Sequence, residues 1–427
     1  MPQISLALLP NSNIKRATAL TWRSLVRVCA IALLVGLGRP LSEPESVAAE
    51  AASSQVVQTP SEVRTAFDLW LNSIQVVGRI EGGSVGWWIL DTGAGFSAVD
   101  ESLAKGLGLR ATGSVEIESA GGKMRTSMLR GQTLHVAGVS TKLDLVVIPL
   151  AEVSDYEGRP IAGILGSSFI ERFLLTIDYQ QRFITLATGP SARLGADTQT
   201  IALEMRNEEP WARVAFSLDG KTSVSGLFMV DTGANASIDV SPAFVSAVGI
   251  APVLSRLPAV DTRAITPNGL IDFREARIKH AQLGPFRIKE PLLAWFQSGS
   301  HWGDGLLGAD VLRRFTVTLD YRSRLMKLQP NSDFRKPFET NASGLLLKTH
   351  RSDPTAFEVA WVRRSSPADT AGIQVGDVLL SVNSRRVNEL GLNQLVSWFQ
   401  RDSKTYQLGT KRGDEHRTVR LRTKRPI

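Results

Sequence analysis

The chain has 427 residues, is 43% hydrophobic and 21% charged, and carries a formal net charge of +8. That is length for about three globular domains, and the composition excludes fibrous, disordered and multi-span membrane chains. The basic excess forms no block with interleaved aromatics, so nucleic acid is not an expected partner.

At the N-terminus, Lys15, Arg16, Arg23 and Arg27 precede the apolar run Val28 to Leu37, followed by Pro40, Pro44 and the small-residue tract Val47-Ala48-Ala49. A charged region, a short apolar region and a small-residue cleavage site read as a signal peptide over residues 1–49, so the chain is expected to be exported to the periplasm or the extracellular space. If the segment is retained, it anchors the protein to a membrane. The only cysteine, Cys29, falls inside it. A processed chain therefore has no disulfide, no thiol nucleophile and no cysteine-ligated metal.

Residues 50–64 read as a linker. Ile74 to Ile80 then alternates into Glu81-Gly82-Gly83, a hairpin turn signal, and the return run Trp87-Trp88-Ile89-Leu90 ends in Asp91-Thr92-Gly93-Ala94. The same order recurs with Ala212 to Leu218, Asp219-Gly220-Lys221, and Leu227-Phe228-Met229-Val230 ending in Asp231-Thr232-Gly233-Ala234. One Asp-Thr-Gly is expected by chance on the order of 0.1 times in such a chain. The trailing segments remove that doubt. Gly163-Ile164-Leu165-Gly166, Phe173, Thr176, Asp178-Tyr179 and Arg182 return as Gly305-Leu306-Leu307-Gly308, Phe315, Thr318, Asp320-Tyr321 and Arg324, at a constant offset of 142. A structural unit is duplicated, and each half is mainly β, with short helical patterns only around Ser102 to Leu107 and Pro242 to Val248. Of the adjacent Trp87 and Trp88, alternation puts at least one in the core.

These paired motifs, each followed by an apolar-apolar-Gly segment, resemble the aspartic peptidases, and the alanine after Asp-Thr-Gly is closer to the retroviral type. The resemblance covers roughly residues 65 to 335. It implies two homologous β lobes, residues 65–192 and 193–336, sharing one site with Asp91 and Asp231 as the catalytic pair. It also implies that Thr92 and Thr232 bond across the lobe interface while Gly93 and Gly233 donate backbone N–H groups to the carboxylates. Two such carboxyls share one proton, so one can take a proton from water while the other donates to the scissile carbonyl. No metal or organic cofactor is needed.

The stretches Glu116 to Arg130, with Gly121-Gly122 at its tip, and Leu257 to Phe273, with Thr266-Pro267-Asn268-Gly269, are the candidate flaps; neither contains the tyrosine of pepsin-like flaps. Ordinary surface hairpins are the alternative. The five histidines, His135, His280, His301, His350 and His416, have no ligand spacing. No nucleophile elbow, P-loop or dinucleotide fingerprint is present.

After the turn-rich 331–342, the series Ser366-Pro367-Ala368, Ala371-Gly372, Gly376-Asp377 and Val382-Asn383 resembles a PDZ domain of the bacterial exported-protease type, over residues 343–427. Ser384 stands where that family usually has glycine. The resemblance makes Gly344, Leu345, Leu346 and Leu347 the loop that binds a peptide's terminal carboxylate, with the following strand accepting the peptide. Leu392, Leu395, Val396 and Phe399 have the spacing of a helix that packs on the sheet and walls the groove. The alternative is a docking or autoregulatory surface that takes no free peptide. Arg417 to Arg425 reads as a final strand with a charged outer face.

Together these readings describe an exported aspartic endopeptidase acting on protein or peptide substrates, with a small α+β PDZ domain that recruits or gates them. The rival is a non-catalytic peptide-binding scaffold with an aspartic-peptidase-like body.

Overall fold

The computed structural model describes residues 61–119, 122–189, 195, 197–266, 269–296 and 303–427. Residues 1–49, expected to be a signal peptide and containing Cys29, most of the expected linker, and Gly121, Pro267, Asn268 and His301 lie outside the described residues.

Each lobe is built on a sheet in which the strand entering the Asp-Thr-Gly turn pairs in parallel with the later apolar-apolar-Gly strand. In lobe 1, Gly86–Leu90 runs beside Ile161–Leu165; in lobe 2, Ser223–Asp231 runs beside Gly305–Gly308. A third strand, Ala98–Asp100 or Ile238–Val240, returns antiparallel on the other side. This crossing explains both glycines of the Gly-x-x-Gly motif. A Cβ on Gly163 would stand 2.2 Å from the Trp88 ring and 2.3 Å from the Ala98 carbonyl oxygen, and one on Gly305 would stand 1.9 Å from the Asp239 oxygen. Gly166 and Gly308 meet the carbonyls of Phe96 and Ala236 at 2.3 and 2.2 Å in the same way. Real Cβ atoms do not approach backbone this closely, so the strands can cross only through glycine.

The duplicated trailing strands pair with each other. Leu174–Asp178 and Phe315–Asp320 are antiparallel neighbours, with Thr176 opposite Thr318 and their hydroxyls 2.9 Å apart. These two threonines are equivalent residues, so the pseudo-twofold relating the lobes passes between them. They lie in the middle of a six-stranded sheet that joins the lobes, completed by Glu62–Ala66, Phe183–Ala187, Leu325–Pro330 and Gln199–Ala202. The lobe boundary expected at residue 65 falls inside the first of these strands. The repeated Asp-Tyr-x-x-Arg makes a hairpin turn in each lobe: Asp178 Oδ1 accepts from the N–H groups of Gln180 and Gln181, Asp320 Oδ1 from Ser323, and Arg182 and Arg324 adopt φ of 60° and 56°.

One apolar cluster runs through both lobes and the joining sheet, including Trp88, Leu175, Ile177, Val317 and Leu319. Each such side chain, fully buried, contributes roughly 1.5–3 kcal/mol. The expected helices form at Glu101–Gly106, capped by Asp100, and at Pro242–Ala247, capped by Ser241. A third, Ala151–Glu157, has no side-chain cap and ends at Gly158 with φ 70°. Both candidate flaps are hairpins, Gly113–Ser119 with Gly122–Val136, and Ala259–Thr266 with Gly269–Arg277.

The C-terminal region has its own core of Leu345, Phe357, Leu379, Leu395 and their neighbours. Its sheet has Leu345–His350 at one edge and Glu415–Arg422 at the other, and the helix Val387–Gln400, broken at Gly391, packs on it. Asn383 and Ser384, both at positive φ, make the turn where Ser384 replaces the usual glycine. Among the described residues no helix is long and apolar enough to cross a membrane.

Candidate active site

The strand into each motif alternates, so Leu90 and Val230 enter the core while Asp91 and Asp231, at the strand ends, face the other lobe. The turns are then locked by a reciprocal set of bonds. The Thr92 N–H donates to Thr232 Oγ1 at 3.1 Å and the Thr232 N–H to Thr92 Oγ1 at 3.0 Å. The hydroxyls complete the pattern by donating across the interface, Thr92 to the Val230 carbonyl at 2.6 Å and Thr232 to the Leu90 carbonyl at 2.8 Å. Both threonines are fully buried, and the N–H and hydroxyl of each find their partners in the opposite lobe.

This lattice presses the two turns face to face. A Cβ on Gly93 would stand 2.5 Å from Asp231 Cγ, and one on Gly233 would stand 2.4 Å from Asp91 Cγ. Each carboxyl therefore lies directly over the other lobe's glycine. The Gly93 N–H donates to Asp91 Oδ1 at 2.9 Å; the N–H groups of Gly233 and Ala234 donate to Asp231 Oδ1 at 2.8 and 3.1 Å. Asp231 is 8% exposed. Burial, and then the neighbouring Asp231 carboxyl, hold the Asp91 pKa well above the ordinary carboxylate range. Burial also raises Asp231, offset in part by a hydrogen bond from Asp91. The pair thus keeps a shared proton at pH values where isolated carboxyls have lost theirs.

Around the dyad the lobes differ. Trp88 is fully buried, whereas the Trp87 ring is covered by the Arg159 guanidinium at 4.0 Å, which also lies 4.0 Å over Trp70. Glu209, in lobe 2, reaches the lobe 1 loop that follows Asp91: a Cβ on Gly95 would stand 3.5 Å from its Oε1. Burial and the charge of Asp231 push its carboxyl up to about 7. Sequence reading missed Glu209 because nothing local marks it.

It also missed Asp239, which occupies the place that Ala98 holds in lobe 1: Asp239 lies opposite Leu306 as Ala98 lies opposite the equivalent Ile164. Asp239 is 8% exposed, its Oδ1 has no hydrogen-bond partner, and burial, then Glu275 and Asp231, push its carboxyl up to about 8. A carboxyl raised in the native state binds its proton more tightly than in the unfolded chain, so stability falls as pH rises between about 4 and 8. Asp239→Asn is therefore expected to stabilise the protein by on the order of 3 kcal/mol at pH 8 and to change little at pH 4, measured by urea unfolding at both values. Equal effects at the two pH values would show that Asp239 is not held protonated.

In the C-terminal domain, Gly344–Leu347 open the edge strand. The Gly344 N–H donates to Asn341 Oδ1 at 2.9 Å and the Leu345 N–H to Ser343 Oγ at 3.0 Å, so these two donors are committed within the loop. The sequence signal for this was Asn341-Ala342-Ser343-Gly344, a side-chain-capped turn. Gly344 is required twice over, for its φ of 81° and because a Cβ would stand 2.2 Å from Ser366 Cβ.

Paired Asp-Thr-Gly turns, interlocked threonines and two similar β lobes define an aspartyl-protease-like body. Comparison with family models agrees: the aspartyl protease model matches residues 76–169 and again 214–311, and the PDZ domain model matches residues 358–405. The chain carries two retropepsin-like aspartyl protease domains followed by a PDZ domain. No curated protein matches it. Among the described residues no three His, Cys, Asp or Glu side chains converge as a metal site.

Proposed function

We propose that the protein is an aspartic endopeptidase in which Asp91 and Asp231, one from each lobe, hydrolyse peptide bonds through a shared proton. The observation that carries this reading is the reciprocal threonine lattice, which holds the two raised carboxyls against each other's glycines. The carboxylate of the pair takes a proton from the attacking water while the protonated partner donates to the scissile carbonyl. No covalent intermediate forms, and no cofactor enters the step. In this reading the substrate is an extended or unfolded segment, and the hairpins Gly113–Ser119 with Gly122–Val136 and Ala259–Thr266 with Gly269–Arg277 are the flaps that hold it. The N-terminal segment 1–49 directs export, so the substrates are proteins outside the cytoplasm. The test is hydrolysis of denatured casein between pH 3 and 8 by the mature chain and its dyad variants.

Alanine after each Asp-Thr-Gly sets the pH range. A hydroxyl at Ala94 or Ala234 would donate to the carboxylate and favour its charged form, which the methyl group does not. Replacing both alanines by serine is expected to shift the acid limb of the activity profile to lower pH. A limb that stays in place or moves upward would refute the argument.

A further inference from the structure

A PDZ groove lies between an edge strand that accepts a peptide as an added strand and the helix facing it. Here these are Leu345–His350 and Val387–Gln400. An open edge leaves backbone donors and acceptors free for another chain. In this protein lobe 1 covers it: the helix Ala151–Glu157 packs against Leu345–His350.

The contact is built residue by residue. Gly158, ending that helix, lies so close to the PDZ helix that a Cβ would stand 2.9 Å from Leu392 Cβ and 3.6 Å from the Phe357 ring. Leu71, in the turn between Asp68–Trp70 and Ser73–Ile80, packs on the PDZ core and donates its N–H to Asn393 Oδ1 at 3.1 Å. The Trp70 indole N–H donates to the Glu157 carbonyl at 2.6 Å, which ties turn and helix into one docking element. Beneath it, Gln75 Nε2 donates to Glu157 Oε2 and Gln75 Oε1 accepts from Arg159 Nε, a hydrogen-bonded chain that fixes the end of the helix. The loop donors of Gly344 and Leu345, which a peptide carboxylate would need, already have partners within the loop.

We propose that the PDZ groove is the dock for lobe 1 of its own chain rather than a receptor for free peptide C-termini, and that docking holds the Leu71-Asn72 turn against the catalytic loop of lobe 2. Both turn residues are left-handed, at φ 49° and 70°, a conformation that non-glycine residues adopt at a cost and keep when contacts on several sides fix it. One such contact is Asn393. Another is Asn235, in the loop after Asp231, whose carbonyl accepts from Asn72 Nδ2 at 3.3 Å. This turn therefore links the PDZ domain to the loop that follows Asp231.

The test does not depend on cleavage, so it stands or falls apart from the peptidase reading. Hydrogen–deuterium exchange is measured on the wild-type chain, Leu71→Asp and Asn393→Ala, and each is titrated with fluorescein-labelled decapeptides ending in an apolar residue, as free acid and as amide. In the wild type no acid-dependent binding is expected. In at least one variant Leu345–His350 and Val387–Gln400 should exchange at least about tenfold faster while the Thr176–Thr318 strands keep their protection. Micromolar, acid-dependent binding to the wild type would overturn the proposal. So would unchanged exchange of Leu345–His350 in both variants.

Discussion

Asp91→Asn and Asp231→Asn are each expected to reduce casein hydrolysis by about a thousandfold or more at the pH optimum, with the fold retained. Asparagine keeps the shape of the side chain and an oxygen that accepts the N–H of Gly93 or Gly233, so the turn hydrogen bonds survive. What it cannot do is share a proton with the opposite carboxyl. The proposed shared proton makes the two residues one acid–base unit, which predicts a double variant scarcely worse than either single one. Thermal unfolding at pH 7 should be unchanged or raised, since each substitution removes a buried acid from a like-charged pair. Activity within tenfold of wild type in either variant would refute the shared dyad.

Gly93→Ala and Gly233→Ala are the second large expected effect, and they act through sterics alone. Neither glycine has a positive φ, so backbone conformation is not the obstacle. The added methyl would stand 2.5 or 2.4 Å from the opposite carboxyl carbon, and that carboxyl is held by backbone donors and cannot swing away. The lobes must part by a fraction of an ångström to an ångström. Misplacement on that scale costs about a hundredfold in rate, and overpacking costs about 1–3 kcal/mol of stability. Gly106→Ala, at a position where a Cβ meets nothing within 4 Å, is the control and should leave both quantities nearly untouched. Kinetics and urea unfolding of the three variants decide the matter: wild-type rates for Gly93→Ala would mean the turns are not in contact.

Much of this site was legible because duplication writes the same physics twice. The offset that links Thr176 to Thr318 in the sequence becomes a direct cross-strand pair, and the Asp-Thr-Gly-Ala tetrads become the two halves of one lattice. Glycine spacing also translated well, since Gly163, Gly166 and their repeats are dictated by strands crossing at short range. The PDZ series was likewise readable from its turn residues.

Other features had no local signature. The helix Ala151–Glu157 is short and has no side-chain N-cap, so its pattern was indistinguishable from the β-prone runs around it; it forms because lobe 1 and the PDZ domain both pack on it. The strand Glu62–Ala66 looked like linker because its pairing partner, Phe183–Ala187, lies far along the chain. Asp239 was invisible for the opposite reason: alternation correctly makes its neighbours apolar, and only burial reveals that one strand position holds an unpartnered carboxyl. A docking surface was one of two readings of the PDZ sequence, but that lobe 1 is what packs against its edge strand could not be read, because the contact arises from surfaces of two domains that meet only after each has folded.

The most direct test of a dyad formed within one chain is the casein activity of an equimolar mixture of Asp91→Asn and Asp231→Asn, measured beside the wild type and with the molecular mass of each sample. A single-chain dyad predicts an active monomeric wild type and a mixture as inactive as its components. Activity regained on mixing would show that lobes pair between chains, and a folded but inert wild type would contradict the shared-proton mechanism itself.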